Sequence, residues 1–180
     1  MHPVPNTPLA DRRQWLTLAL ITAITPLKAF AAGTDSPTTV APTPALEGTN
    51  FSGQRIQLAD HRNRVVLVLY WSTGCAVCRD KMRELRANLM GWHSQAFTLI
   101  GVNMDPRRQD WIDHERLVAQ TVPVVQRFPS VWAGDADFRD TMGRPEQLPG
   151  ARLIDKTGKL VETYRGRIPA EAWDRIAELL

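Results

Sequence analysis

The stretch VVLVLYWSTGCAVC, residues 65–78, decides the fold that we predict for this chain. Its first seven residues are continuously apolar and partly β-branched, which is typical of a strand that is covered on both faces. Residues 76–90 then repeat apolar side chains at helical spacing, and Gly91 follows as a stop signal. The apolar stripe consists of Cys78, Met82, Leu85 and Leu89. The stretch therefore predicts a buried strand that turns directly into a helix.

The only two cysteines of the chain, Cys75 and Cys78, lie at this junction. Residues three apart on a helix share a face, and their sulfurs are close enough for a disulfide. Cys75 falls at the start of the helix, where unpaired N–H groups and the helix dipole stabilise a thiolate. We therefore expect Cys75 to be the attacking sulfur and Cys78, on the apolar stripe, to be the resolving one.

Two other interpretations of the pair are a structural disulfide and half of a metal site. A disulfide across three residues closes a very small loop, so it stabilises little through chain entropy. A zinc site needs about four ligands, and the chain offers no further cysteine. Its histidines at 61, 93 and 114 have no ligand spacing. Redox chemistry is the prediction, with neither a metal nor a cofactor expected.

The rest of the chain alternates strand and helix patterns. We predict strands at 53–58, 65–71, 98–103, 122–126, 151–155 and 160–166. We predict helices at 76–90, 107–121, 135–142 (with Gly143 as its stop) and 169–180. The last two strands are joined by a short, glycine-containing link that suits an antiparallel hairpin. This alternation implies an α/β sandwich with a mixed sheet and helices on both faces.

The N-terminus reads as an export signal, residues 1–31. Arg12 and Arg13 precede an apolar run at 15–27, and an A-x-A site ends at Ala31. We expect cleavage after Ala31 and a periplasmic location. An uncleaved membrane anchor is the alternative, although the run is short for a bilayer span. The arginine pair also loosely resembles a twin-arginine signal.

Composition separates the signal from the domain that follows. Residues 32–44 are rich in proline and threonine and are predicted to be a flexible or extended linker to a domain at 45–180. Residues 1–31 carry three basic residues and one acidic residue, a net charge of +2. Of the formal +3 of the whole chain, +1 therefore remains after residue 31. A nearly neutral domain has no electrostatic footprint for nucleic acid.

Three stretches together resemble the TlpA/ResA-like branch of exported thioredoxin-fold proteins. They are FSGQRIQLADHRNRVVLVLYWS, VVLVLYWSTGCAVC and LPGARLIDKTGKLVETYRGRI. The resemblance covers about residues 45–180. It implies a thioredoxin-like fold with an N-terminal β-hairpin and a helix–strand insertion at 107–126.

The resemblance also assigns site residues. It identifies Cys75 and Cys78 as the redox pair of a CxxC motif and Trp71 as the tryptophan beneath it. Pro149 corresponds to a cis-proline that faces the disulfide, and Leu148 would offer backbone groups to an extended substrate peptide. By residue type alone Trp71 and Leu148 are core candidates, and Pro149-Gly150 is a turn signal.

The activity implied by the resemblance is that of a thiol–disulfide oxidoreductase that reduces protein disulfides. Its substrates would include apocytochromes or copper-site proteins, and a membrane thiol donor of the DsbD/CcdA type would recharge it. Two departures bear on the reduction potential. Ala76-Val77 stands where many relatives have proline, and Leu69 stands where plain thioredoxin has a buried aspartate.

Two rival functions use the same fold. A thioredoxin-fold copper chaperone binds copper with two cysteines and a distant histidine, but its cysteines usually stand four apart. A peroxiredoxin-like peroxidase has a threonine three residues before its reactive cysteine and a proline upstream. This chain has Ser72 and Val68 at those places.

Overall fold

The computed structural model describes residues 43–180. The predicted signal at 1–31 lies outside the described residues, as does the predicted linker at 32–44 apart from its last two residues. The strands are β1 Leu46–Thr49, β2 Arg55–Gln57, β3 Val65–Trp71, β4 Phe97–Asn103, β5 Ser130–Trp132, β6 Arg139–Asp140, β7 Gly150–Ile154 and β8 Leu160–Arg165. The α-helices are α1 Ala76–Gly91, α2 Arg108–Thr121 and α3 Glu171–Leu179, and Leu58–His61 and Val124–Gln126 are short 3-10 helices.

The central sheet has five strands in the order β5-β4-β3-β7-β8. β3 runs parallel to β4 and antiparallel to β7, and β7 and β8 form the predicted antiparallel hairpin. All seven residues of β3 are buried, as its continuous apolar pattern predicted. The mixed sheet confirms the predicted α/β class. It also brings the ends of β3, β4 and β5 to one edge, together with the start of β7.

Alternate residues of β3 enter two separate cores. On one face Val65, Leu67 and Leu69 pack with residues of α1 and α3. The other face, with Val66, Val68 and Tyr70, is covered by the small sheet β2-β1-β6 and the 3-10 helix Leu58–His61. The antiparallel pairing of β1 with β2 is the expected N-terminal hairpin. Because both faces of β3 are covered by other elements and excluded from water, apolar side chains are favourable at every position of the strand.

The strand predicted at 122–126 is wrong. Residues Val124–Gln126 form a 3-10 turn, and the strand that pairs with β4 is β5, a few residues later. Val124 and Val125 are 74% and 54% exposed, so the apolar run gains no burial from a sheet. Pro123 also lacks the N–H that a ladder needs. The helix of the predicted insertion, α2, is present within one residue of its predicted bounds.

The helix predicted at 135–142 is also wrong. Arg139–Asp140 form β6, which pairs with Leu46 and Glu47 of β1. Asp140 additionally accepts hydrogen bonds from the Tyr70 hydroxyl, at 2.7 Å, and from the Met142 N–H, at 2.8 Å. The β1 residues and Tyr70 lie far away in sequence, so tertiary pairing overrides the local helical pattern. Across residues 43–180, none of the helices has the length and apolar character needed to cross a membrane.

Candidate active site

The two cysteines occupy the first turn of α1. Cys75 is the N-cap residue, and its sulfur accepts a hydrogen bond of 3.1 Å from the backbone N–H of Cys78. The two sulfurs form a disulfide, with the Cα atoms 5.2 Å apart. Cys75 is half-buried, whereas Cys78 is 1% exposed in the core beneath the helix. The geometry therefore gives the pair one reachable sulfur and one protected sulfur.

A buried carboxylate holds the loop that leads into Cys75. The oxygens of Asp105 accept hydrogen bonds from the backbone N–H of Thr73, at 3.0 Å, and from its hydroxyl, at 3.1 Å. The side chain of Asn103 donates a further bond of 2.8 Å to Asp105. These bonds satisfy a carboxylate that is only 6% exposed. Asp105 thus fixes the approach of the chain to the redox pair.

Asp105 is not among the site residues predicted from the sequence, although its position relative to the strands is a signal that could have identified it. Asp105 follows β4, and Thr73 follows β3, the neighbouring parallel strand. Because parallel strands end at the same edge of a sheet, polar residues after the two strands are brought together. On the other side of the loop, the Arg79 guanidinium donates a 2.5 Å hydrogen bond to the Thr73 carbonyl.

Trp71 lies at the end of β3, buried in the same core cluster as Cys78. Its ring centroid is 4.6 Å from that of His114 on α2. Among the described residues, its indole N–H has no hydrogen-bond partner, and the same holds for Nε of Arg86. Trp71 therefore lies beside a polar cluster formed by side chains of α1 and α2.

This cluster contains His114, Glu115 and Arg86, and burial perturbs each of them. Burial raises the pKa of Glu115 to about 7, although a hydrogen bond with Ser130 and the charge of Arg86 oppose the shift. Burial, assisted by the nearby Arg86, lowers the pKa of His114. Burial also lowers the pKa of Arg86. No periodic pattern in the sequence predicts this cluster, because its members come from two helices.

Leu148 and Pro149 reach the same edge of the sheet. The bond between them is cis, as the resemblance implied, and Pro149 is buried. Gly150 then pairs with Tyr70 near the end of β3. A Cβ atom at position 150 would lie 2.6 Å from Cβ of Pro145, so a residue larger than glycine would clash here. Leu148 is half-buried and packs against both cores.

Metal-ligating side chains do not cluster in the part of the chain that the structure describes. Within residues 43–180 there is no group of three or more histidine, cysteine, aspartate and glutamate side chains that could hold an ion. The histidines weighed in the sequence analysis lie apart. His61 ends a 3-10 helix, His93 follows α1, and His114 packs against Trp71.

The fold and the cysteine pair define a thioredoxin-fold protein with a CxxC disulfide at the start of a helix. Residues 39–167 match the model of the AhpC/TSA family, which is more than half of the chain. The chain belongs to that family.

Known proteins similar to this chain agree with the sequence resemblance. The thiol-disulfide oxidoreductase ResA of Bacillus subtilis (strain 168) is 28% identical over 139 residues, which cover 77% of this chain and 70% of the relative. This similarity confirms the expected ResA-like character and the class of thiol–disulfide oxidoreductases.

Solved structures support the fold. A thiol:disulfide interchange protein of the thioredoxin family from Chlorobium tepidum TLS superposes with a TM-score of 0.59 at 18% identity, over 76% of this chain and 93% of its own. The thioredoxin domain of a thiol-disulfide oxidoreductase from Bacteroides vulgatus gives a TM-score of 0.57 at 21% identity, over 76% and 93%. The predicted thioredoxin-like fold is therefore confirmed.

Proposed function

We propose that this protein is an exported thiol–disulfide oxidoreductase that reduces disulfides of other proteins through Cys75 and Cys78. One observation carries the proposal: at the start of α1 Cys75 is half-buried, whereas Cys78 is 1% exposed. Protein substrates can reach only the outer sulfur, so the two cysteines take different parts in the exchange.

The reaction has two exchange steps. The thiolate of Cys75 attacks one sulfur of the substrate disulfide, and the other substrate sulfur leaves as a thiolate that takes up a proton. A mixed disulfide between Cys75 and the substrate results. The thiolate of Cys78 then attacks the Cys75 sulfur and releases the second substrate thiol. Two electrons pass to the substrate, and Cys75–Cys78 is left as the disulfide.

Electrostatics favour the Cys75 thiolate only moderately. The helix N-terminus and the 3.1 Å hydrogen bond from the Cys78 N–H stabilise a negative sulfur. Ala76 and Val77, between the cysteines, supply neither a charge nor a side-chain donor. Lys81 is paired with Glu84 at 2.7 Å. A moderately acidic thiol suits a reductant better than a strong oxidant, whose reduced form must be unusually stable.

The substrate binds, in this proposal, beside Leu148 and Pro149. These residues precede β7, and Cys75 follows β3, which is the neighbour of β7 in the sheet. An extended substrate segment could therefore lie along the backbone of Leu148 with its disulfide over Cys75. Trp71 would support the pair from below, since it shares the core cluster of Cys78.

Export and recharging complete the proposal. The signal expected at 1–31 would deliver the domain to the periplasm, an oxidising compartment. A reductant needs an electron source there, so we propose a membrane thiol donor of the DsbD/CcdA type. Apocytochromes or copper-site proteins are the proposed substrates.

A mixed-disulfide trap tests the proposed function. The Cys78→Ser variant should accumulate substrates bound to Cys75 in a periplasmic extract, because the second step is blocked. The Cys75→Ser variant is the matched control and should trap far less, since its remaining sulfur is buried. Non-reducing electrophoresis followed by mass spectrometry measures both. Equal trapping by the two variants, or no trapping, would contradict the proposal.

Peroxide reduction is the alternative reaction, and a consumption assay distinguishes it. The reduced protein is mixed with hydrogen peroxide in one reaction and with a protein disulfide in another. We expect the protein disulfide to be reduced with the faster second-order rate constant. A faster reaction with peroxide would replace the proposed function with that of a peroxidase.

A further inference from the structure

Three arginines form a stripe along α1, beginning next to the redox pair. Arg79, Arg83 and Arg86 are spaced four and three residues apart, so their side chains leave the same face of the helix. Arg79 directly follows Cys78, and its guanidinium donates a hydrogen bond to the carbonyl of Thr73, in the loop that leads into Cys75. The stripe is therefore anchored at the active site and runs away from it along the helix.

The acidic residues of the same helix are already neutralised. Asp80 pairs with Arg167 at 2.8 Å, and Glu84 pairs with Lys81 at 2.7 Å. None of the arginines of the stripe forms a salt bridge with any carboxylate within residues 43–180. The carboxyl group that faces Arg86, that of Glu115, has its pKa raised to about 7 by burial and so compensates Arg86 only in part. The Arg79 guanidinium also donates to the Thr73 carbonyl, a neutral group that leaves its charge uncompensated. The stripe thus carries positive charge that no carboxylate among residues 43–180 fully neutralises.

The stripe lines an open groove of about 350 Å³. One wall is α1, and the other is the chain that leaves α2, residues 121–126. The residues lining the groove are Arg79, Met82, Arg83, Arg86, Thr121, Val122, Pro123 and Gln126. The Arg127 guanidinium donates hydrogen bonds to the carbonyls of Val122 and Ala119 at the end of α2. These two carbonyls therefore have a donor other than the arginines of the groove. Beside it, Val124 is 74% exposed and Val125 54%.

The groove and the cis-proline lie on opposite sides of the redox pair. Pro149 precedes β7, which flanks β3 on one side, whereas residues 121–126 lead to β5 on the other side, beyond β4. A polypeptide that crosses Cys75 from Pro149 therefore continues toward the arginine stripe.

We propose that this groove binds an acidic segment of the substrate polypeptide, next to the disulfide that Cys75 attacks. Guanidinium groups match carboxylates in geometry as well as in charge, and uncompensated positive charge accelerates the encounter with a negative partner. The exposed valines would contact apolar residues of the same segment. The inference rests on the proposed function and narrows its substrate class to proteins with carboxylates near the reactive cysteine.

Synthetic peptides can test this substrate preference. Each peptide carries one cysteine as a mixed disulfide with thionitrobenzoate, flanked on both sides by two glutamates, two glutamines or two lysines. The reduced Cys75 thiolate attacks the peptide sulfur and expels the coloured thionitrobenzoate anion. Cys78 then displaces the peptide thiol. We expect the second-order rate constants to fall in the order glutamate, glutamine, lysine, with the glutamate preference weakened by added salt.

Charge reversal in the groove should lower that preference. Arg83 is exposed and forms no salt bridge with any residue of the described range 43–180. We therefore expect Arg83→Glu to reduce the ratio of the glutamate to the lysine rate by about fivefold or more. Arg116→Glu, on an exposed part of α2 outside the groove, makes the same change of net charge and should leave the ratio and both rates unchanged. An unchanged ratio in Arg83→Glu, or an equal drop of the ratio in Arg116→Glu, would contradict the proposal that the groove binds an acidic substrate segment.

The failure of this inference differs from the failure of the proposed function. If the wild type reacts with all three peptides equally, only the acidic preference is wrong. If the wild type reacts with none of the peptides, the proposed disulfide reduction is contradicted, and the proposal that the groove binds an acidic segment is contradicted as well. Self-association that Arg83→Glu abolishes, measured by analytical ultracentrifugation, would show that a second copy occupies the groove and would also overturn the inference.

Discussion

Cys75 and Cys78 belong to the same helical turn, yet their surroundings differ. Cys75 caps the helix and is half-buried, whereas Cys78 points into the core with 1% of its surface exposed. The sequence predicted this difference from spacing alone, because a strand that turns into a helix puts the first cysteine at the cap and the second on the apolar stripe. The order of attack follows from accessibility and from the helix N-terminus together.

Alkylation of the reduced protein checks this asymmetry. Cys75 should react with iodoacetamide at least about tenfold faster than Cys78, because its sulfur is both accessible and the better stabilised thiolate. Peptide mapping by mass spectrometry gives the two rates, and each single Cys→Ser variant serves as a control for the other site. Equal rates, or faster labelling of Cys78, would remove the basis for assigning the attack to Cys75.

Glu115 provides a second test, through pH. Burial raises its pKa to about 7 from its ordinary value of 4.5. Between these values the folded protein keeps a proton that the unfolded chain has lost, so the free energy of unfolding falls as the pH rises. Glu115→Gln removes this titration. Relative to the wild type, the variant should gain about 1–3 kcal/mol between about pH 4 and pH 8.

Urea unfolding at both pH values measures this gain. Burial lowers the pKa of His114, but this histidine is present in both proteins and its titration cancels in the comparison. Glu146→Gln, at an exposed position, is the control and should show no such trend. A difference between wild type and Glu115→Gln that does not change with pH would contradict the buried titration.

The polar residues around the cysteines were harder to predict than the cysteines themselves. Asp105 binds Thr73 across two strands, and Glu115 approaches Arg86 across two helices. Such contacts depend on which strands and helices become neighbours in the fold. The local periodicity of apolar residues does not predict this arrangement. The contact of Asp105 with Thr73 could have been predicted from the rule that neighbouring parallel strands end at the same edge. The contact of Glu115 with Arg86 could not be predicted without knowing how α2 packs against α1.

Helices α1 and α3 are joined by a polar contact as well as by the core. The Lys81 side chain is 7% exposed and binds both carboxylate oxygens of Glu84, at 2.7 and 2.8 Å. The indole N–H of Trp173 on α3 also donates to Glu84. Burial opposes ionisation of Glu84, but these two donors and the Lys81 charge lower its pKa. Glu84 therefore connects the redox helix to the closing helix.

Removing this carboxylate should weaken the attachment of α3. Glu84→Ala leaves the nearly buried Lys81 ammonium and the Trp173 N–H without an acceptor, and we expect a loss of about 1–3 kcal/mol. Asp80→Ala, one turn earlier, breaks an ion pair whose two side chains are 63% and 64% exposed, and should cost at most about 0.5 kcal/mol. Chemical denaturation compares them. Equal losses would show that the Glu84 contact has no special role.

Elements with a strong period were predicted well, and short ones were not. β3, α1, α2 and the β7–β8 hairpin lie within about one residue of their predicted bounds. Residues 122–126 and 135–142 contain apolar side chains, but no neighbouring element within residues 43–180 stabilises the first as a strand or the second as a helix. The first stays exposed as a 3-10 turn, and the second pairs with β1, a strand 90 residues earlier in the chain.

At the level of the molecule, the sheet order unites the parts of the site. Cys75 follows β3 as the N-cap of α1, Asp105 follows β4, and β7 begins just after Pro149. The α/β class and the redox pair were predictable from the residues themselves, whereas the thioredoxin-like fold was implied by the family resemblance of the strand-to-helix stretch that holds both cysteines. The substrate side of the site was predictable only through resemblance, since Pro149 lies more than 70 residues from Cys75.

The reduction potential of the Cys75–Cys78 pair tests most directly whether this protein donates electrons. The folded domain is equilibrated in glutathione redox buffers, the free thiols are trapped by alkylation, and the reduced fraction is fitted to the potential. The helix N-terminus and the Cys78 N–H stabilise the Cys75 thiolate, whereas the charge of the exposed Arg79 guanidinium, which bonds the Thr73 carbonyl, is screened by water. We therefore predict a value near that of thioredoxin, about −270 mV. A value near the strongly oxidising end, about −120 mV, would contradict the proposed direction of electron flow.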